Sequence, residues 1–509
     1  MRLLSRLYLA SLGALAAAGI AFSWQSGDRL ALADTRTQAD QASDSQADDG
    51  PSKLFFGAEA CRRCHDGKPA DQKPVLVCRG DEMKLWRQDK HREAYSVLFG
   101  DRAKQMGELM QLEGSVAIQK ECLSCHGANV GDSPKDPDTF DLKEGVSCAI
   151  CHGPFEEWVA AHAPPFQKRR DEWRQKSRSE KEEKFGMRDV WTPVKRAELC
   201  VSCHIGNHSE GKVITHAMYA AGHPPLPGIE GSTFCDEMPR HWQLLKEKSK
   251  EVQEILDKQE LDKSRFENSR FVLISGMVAM RESFRLLAGE AADANRKWPE
   301  LAQFDCQSCH HELQTPGLRQ SRGLSGKPGR PRTPAWPTVL VRLALYHLGQ
   351  NDQALADQLK VFQDAGDVQP FGKREQVSTV ASQIVTWADR QCVSLERTPI
   401  DAAGARKLLL FLGRLGQEPI DYDSACQIAW VFQAIYNELA EVPTEDRHRV
   451  IAEIRSLKSR LAKLGSSSAG DSEAADLQMR NDFDPDQFRA EWNDLLRSFE
   501  LPLPELGRP

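Results

Sequence analysis

A chain of 509 residues with a formal charge of −7 is long enough for more than one domain and too acidic for a dedicated nucleic-acid binder. No basic stretch interleaved with aromatic residues appears in it, and beyond the N-terminus no segment approaches the length of a membrane span.

The N-terminus reads as an export signal. Arg2 and Arg6 precede an apolar stretch from Leu7 to Phe22, and Ala31-Leu32-Ala33 is a small-x-small cleavage site before Asp34. Residues 1–33 are therefore expected to be a signal peptide, with an uncleaved membrane anchor as the rival reading. Either version places the chain in the periplasm or outside the cell. Residues 34–53 hold Asp, Gln, Ser and Ala with no aromatic residue and are expected to be a disordered linker.

Residues 54–335 carry five copies of Cys-x-x-Cys-His: Cys61-Cys64-His65, Cys122-Cys125-His126, Cys148-Cys151-His152, Cys200-Cys203-His204 and Cys306-Cys309-His310. With 14 Cys and 14 His in the chain, random placement gives about 0.01 copies. Two thiols three residues apart add to the two vinyl groups of one haem, and the following His binds its iron. The pattern predicts five covalently bound haem c groups. Zinc sites do not need a His after every Cys pair, a thioredoxin-like motif occurs once, and disulfides would not repeat one spacing five times. Export agrees with this chemistry, since haem is attached to c-type cytochromes outside the cytoplasmic membrane.

Each electron-transfer iron needs a second axial ligand. The same region holds seven further His residues: His91, His162, His208, His216, His223, His241 and His311. His91 lies in Trp86-x-x-x-Lys90-His91, His162 follows Trp158, and His216 and His223 are two helical turns apart. His311 follows a proximal His and so must point elsewhere, with a second iron as its candidate target. The expected distal ligands are His91, His162, His216, His223 and His311, while His208 and His241 are expected to be supporting or surface residues.

The segment Glu144-Gly145-Val146-Ser147-Cys148-Ala149-Ile150-Cys151-His152-Gly153-Pro154, with Gly222-His223-Pro224, resembles the cytochrome c-552/c-554 multihaem family. The resemblance covers about residues 58–235 and the Cys306 motif. It implies closely packed haem pairs and mostly bis-His iron. That family is typified by a tetrahaem carrier. This chain adds a fifth motif, a long insert and a helical domain, and the carrier's donor is not transferred to it.

Between motifs four and five, Phe271 to Ala294 has apolar residues at helical spacing, and Met277 and Met280 there are read as core. The tract from Gly317 to Thr333 carries five basic residues and no acid; it is read as a solvated loop, with neutralisation of haem propionates or docking of an acidic partner as the functional alternatives. Residues 336–465 carry no haem motif, and their periodicity predicts helices at 339–349, 352–363, 375–392, 401–416, 424–439 and 445–464. Residues 466–509 form a polar linker and a short closing helix from Phe483 to Phe499. Of the four remaining Cys, Cys392 and Cys426 are either a disulfide or buried thiols, and Cys78 and Cys235 stay open.

The expected fold is mainly α: a multihaem cytochrome c domain with little regular sheet, followed by an antiparallel helical bundle. The expected function is electron transfer to and from redox partner proteins. The alternative is an oxidoreductase acting on a small nitrogen or sulfur compound at one open iron. All five motifs end in His and no Cys-x-x-Cys-Lys occurs, which favours the carrier.

Overall fold

The computed structural model describes residues 54–498, except 68–78, 132, 155, 163–171, 245–246, 251–252, 255–265, 312, 318–319, 321–326, 328, 419 and most of 440–481. The expected signal peptide and linker, Cys78, Arg319, Arg322 and most of the expected helix at 445–464 lie outside the described residues.

The first half is a succession of short helices and loops. Four motifs close helices: α1 (Glu59–His65), α2 (Lys120–His126), α3 (Cys148–His152) and α4 (Pro193–His204). The fifth occupies a 3-10 turn at Cys306–Ser308. On a helix, residues three apart share a face, so each Cys pair presents both thiols to one side. Among the described residues there is no strand, only isolated bridges of Phe55 with Lys135 and Asn207 with Lys212. Apolar clusters around the first three motifs are small, such as Tyr95, Leu98, Val116 and Leu123, or Ala58, Met83 and Trp86 against Cys148. The polypeptide here builds little core of its own.

The second half is different. α5 (Glu267–Ala292) is buried on every face, with Leu273, Ile274, Met277, Met280, Leu286 and Leu287 inaccessible. A helix apolar all round belongs in the centre of a protein. It is covered by α4, by α6 (Trp336–His347) and above all by α8 (Arg374–Arg397), against which α7 (Gln353–Gly366) packs. α9 (Ala402–Leu415) and α10 (Tyr422–Leu439) complete the bundle, and α11 (Pro485–Ser498) closes it with Phe488, Trp492 and Leu495 buried. The indole N–H of Trp492 donates to the Gly413 carbonyl at 3.1 Å. Expected and observed helices agree within a few residues at each end.

The apolar core runs without interruption from Ala197 on α4 to Leu496 on α11. That core spans the boundary expected between residues 335 and 336: the insert helix α5 lies before it in sequence but at the centre of the bundle in space. A buried ion cluster ties the same parts together. The Arg281 guanidinium, 3% exposed, donates to Glu198 on α4 at 2.5 Å, to Glu282 at 2.7 Å and to Asp389 on α8 at 2.9 Å. A buried guanidinium is tolerable only when its donors are met this fully. Cys392 beside it is a free buried thiol, with Arg281 Nη1 3.9 Å from its sulfur, so a disulfide at that position is absent.

Candidate haem-binding site

The five motif histidines do not stand alone. Each faces one histidine from elsewhere in the chain. Ring centres are 6.4 Å apart for His65 and His162, 6.2 Å for His126 and His223, 6.4 Å for His152 and His241, 6.2 Å for His204 and His91, and 6.2 Å for His310 and His216. A metal–imidazole bond is about 2 Å long and the ring centre lies about 1 Å beyond the nitrogen, so two imidazoles on opposite sides of one metal have centres about 6 Å apart. All five pairs have that separation, and every pair has a Cys-x-x-Cys beside it. The residues present fit five haems.

Hydrogen bonds set the tautomers. His126 Nδ1 donates to the Ala94 carbonyl at 2.8 Å, His162 Nδ1 to the Val159 carbonyl at 2.7 Å and His223 Nδ1 to the Pro224 carbonyl at 2.8 Å. His65 Nδ1 donates to Glu82 and His91 Nδ1 to Asp89, each at 3.0 Å. With the proton held on Nδ1, Nε2 of the neutral ring keeps its lone pair, the form a metal needs. Burial, reinforced by its His241 neighbour, pushes the His152 imidazole down to about 4, and burial with His91 nearby does the same for His204. Burial also lowers His162, His223 and His241, while the hydrogen bond to Asp89 raises His91. Burial opposes ionisation of Glu82 and Asp89, yet hydrogen bonds from His65 and His91 hold both carboxyls below the usual range.

The motifs also meet one another. The thiols of Cys61 and Cys148 are in contact, as are those of Cys125 and Cys203. Motif one thus adjoins motif three, and motif two adjoins motif four. Cys151 senses Cys203 electrostatically, which links the two pairs. Motif five is held to the rest by Glu300, whose Oε1 accepts from the His216 N–H at 2.7 Å and from the Ala302 N–H at 3.0 Å.

Four of the five expected distal positions, His91, His162, His216 and His223, each face a motif histidine. The ring facing His152 is that of His241, expected to stand aside; His311 is exposed on the turn after His310. His241 follows Pro239 and Arg240 in a loop far along the chain, with no spacing to betray it. Its one local likeness to His162 is an adjoining Trp ring: Trp242 at 5.2 Å and Trp158 at 5.0 Å. His216 and His223 serve different partners, but not from one helix face. The helix His216–Ala220 stops before Gly222, whose φ of +115° turns His223 toward His126. His208 is a supporting residue: its Nδ1 lies 2.6 Å from Glu290 on α5.

No described helix is long and apolar enough to cross a membrane. Comparison with curated proteins and with solved structures gives no match. Residues 60–153 match the family model described as cytochrome c554 and c-prime. The matched segment opens one residue before the first motif and closes just past the third, and the match supports a c-type cytochrome of that family.

Proposed function

We propose that the protein is an exported, periplasmic electron carrier that holds five haem c groups with bis-His ligation. The observation that carries this reading is the set of five histidine pairs at 6.2–6.4 Å, each joining a motif His to one other His. Cys61 and Cys64, Cys122 and Cys125, Cys148 and Cys151, Cys200 and Cys203, and Cys306 and Cys309 would form the thioethers. The ligand pairs would be His65 with His162, His126 with His223, His152 with His241, His204 with His91, and His310 with His216.

Haem iron, when bound, changes between ferric and ferrous states by one electron and needs no substrate site for that task. The protein's part would be to hold each iron between the two histidines of a pair, exclude small molecules from it, and keep the motifs near one another. Contacts between motifs one and three and between motifs two and four, with motifs three and four close enough for Cys151 and Cys203 to interact electrostatically, support a continuous path, with motif five joined through the His216–His223 segment. Redox proteins at either end are the expected partners. Residues 1–33 are proposed as the export signal, cleaved or kept as an anchor.

Two measurements test the proposal together. The intact mass of the exported protein should exceed that of its processed polypeptide by five haems. The EPR spectrum of the oxidised protein should contain only low-spin ferric signals. A mass with four haems or fewer, or a stoichiometric high-spin signal, would overturn the pentahaem or the bis-His part respectively.

A further inference from the structure

The histidine pairs differ in what holds their outer nitrogens. At the second motif both rings donate to neutral backbone carbonyls, His126 to Ala94 and His223 to Pro224, each at 2.8 Å. At the first motif His65 donates to the Glu82 carboxylate, and at the fourth His91 donates to the Asp89 carboxylate, both at 3.0 Å. Both carboxylates are built in. Glu82 also accepts from the Gly80 N–H at 2.8 Å, and its side chain is 16% exposed. Asp89 is 4% exposed and accepts from the His91 backbone N–H at 3.0 Å. Arg79, the neighbouring cation, directs its guanidinium to Asp81 at 2.9 Å. One short stretch, residues 82–91, thus supplies an anion to each of two different sites, half-buried at Glu82 and buried at Asp89.

We propose that Glu82 and Asp89 are potential-setting residues, which hold the first and fourth sites at lower reduction potential than the second. The inference rests on the ligand pairs proposed above. Charge-assisted hydrogen bonds are roughly twice as strong as neutral ones. A carboxylate on the outer N–H draws that proton away and makes the imidazole a more anionic donor. Ferric iron carries one more positive charge than ferrous iron, so such a ligand favours the oxidised form, and hydrogen bonding and burial are established levers on haem potential. A backbone carbonyl gives the same orientation with little of the charge. Electrons entering the protein would then collect at the second site, which gives the path a direction.

The test is a potentiometric titration of the full-length holoprotein, followed by optical and EPR spectra. Glu82→Gln and Asp89→Asn keep the side-chain size and remove the charge. Each should raise the potential of one site by about a tenfold change in its ferric/ferrous ratio, about 59 mV for a one-electron couple, with five haems retained by mass. Glu93→Gln, an exposed neighbour paired with Arg92, should shift none. The wild type decides the matter if a variant fails to mature: at least two low-spin signals must stay oxidised after another has been reduced. Five signals disappearing over one narrow range, or unshifted potentials in both variants, would overturn the proposal. A high-spin signal in the oxidised wild type would instead indict the ligand pairing itself.

Discussion

The imidazole of His241 lies 6.4 Å from that of His152, and the two rings meet at an angle of 75°. The third motif sits in α3, while His241 belongs to a loop that follows the helix Gly231–Glu237. The pairing brings a remote segment onto a motif whose histidine burial depresses to about 4. It also separates His241 from His311, which sequence reasoning alone had ranked the other way.

Replacing His241 with Ala should convert one of five low-spin irons to high spin while all five haems remain attached, because the thioethers do not involve the distal side. His311→Ala should leave the EPR spectrum as it is. A high-spin signal from the His311 variant and none from the His241 variant would reverse the assignment.

Gly145 supports the fourth site from a distance. Its φ is +64°, and a Cβ there would lie 2.6 Å from the Arg92 carbonyl oxygen and 2.7 Å from that of His91. The next residue, Val146, donates its N–H to the same His91 carbonyl at 2.9 Å. Gly145→Ala should therefore displace His91, producing a partial high-spin signal and a stability loss of about 1–3 kcal/mol from backbone strain. A variant with wild-type spectrum and melting curve would show that the backbone yields without moving His91.

Trp492 is 0% exposed and packs between Gly416, Phe432 and Phe488. Trp492→Ala should cost about 3–5 kcal/mol, since it leaves a large cavity and strands the Gly413 carbonyl. Trp492→Phe should cost less, because most of the volume returns. Chemical denaturation followed by far-UV circular dichroism measures both, and equal losses in the two variants would assign the effect to the lost hydrogen bond instead of the cavity.

A chain ending at residue 335 would leave α5 without α6, α8 and α10. Its buried surface, including Leu273, Ile274, Met277 and Met280, would face water. Such a chain should aggregate or fail to mature, not persist as an independent pentahaem domain. The Arg281 cluster points the same way, since Asp389 would be lost and Nη1 of the guanidinium would be left without its carboxylate. Soluble protein with five haems from this truncation would show that the two parts fold separately.

The cofactor was legible in the sequence because thioether attachment is local chemistry. Cys, Cys and His must stand at fixed spacing whatever the fold around them, so the pattern announces haem c as the cofactor class. Helices α6 to α10 were legible for a similar reason: burial of one face imprints a period near 3.6 on the chain. The resemblance around Cys148 pointed to the family that residues 60–153 match.

The distal partners obey no such rule. A second imidazole has only to arrive at the right place, and tertiary folding can deliver it from any segment: in the proposed pairs His91 lies before His204, and His241 comes from a loop without periodicity. Domain limits were hidden for the same reason. The apolar face of α5 looks alike whether its cover is the haem region or the bundle, and only packing against α8 and α4 decided that one core joins them. The carboxylates behind His65 and His91 were likewise decided in three dimensions, where Glu82 and Asp89, ordinary acids in a polar stretch of sequence, lie beneath the imidazoles of two different sites.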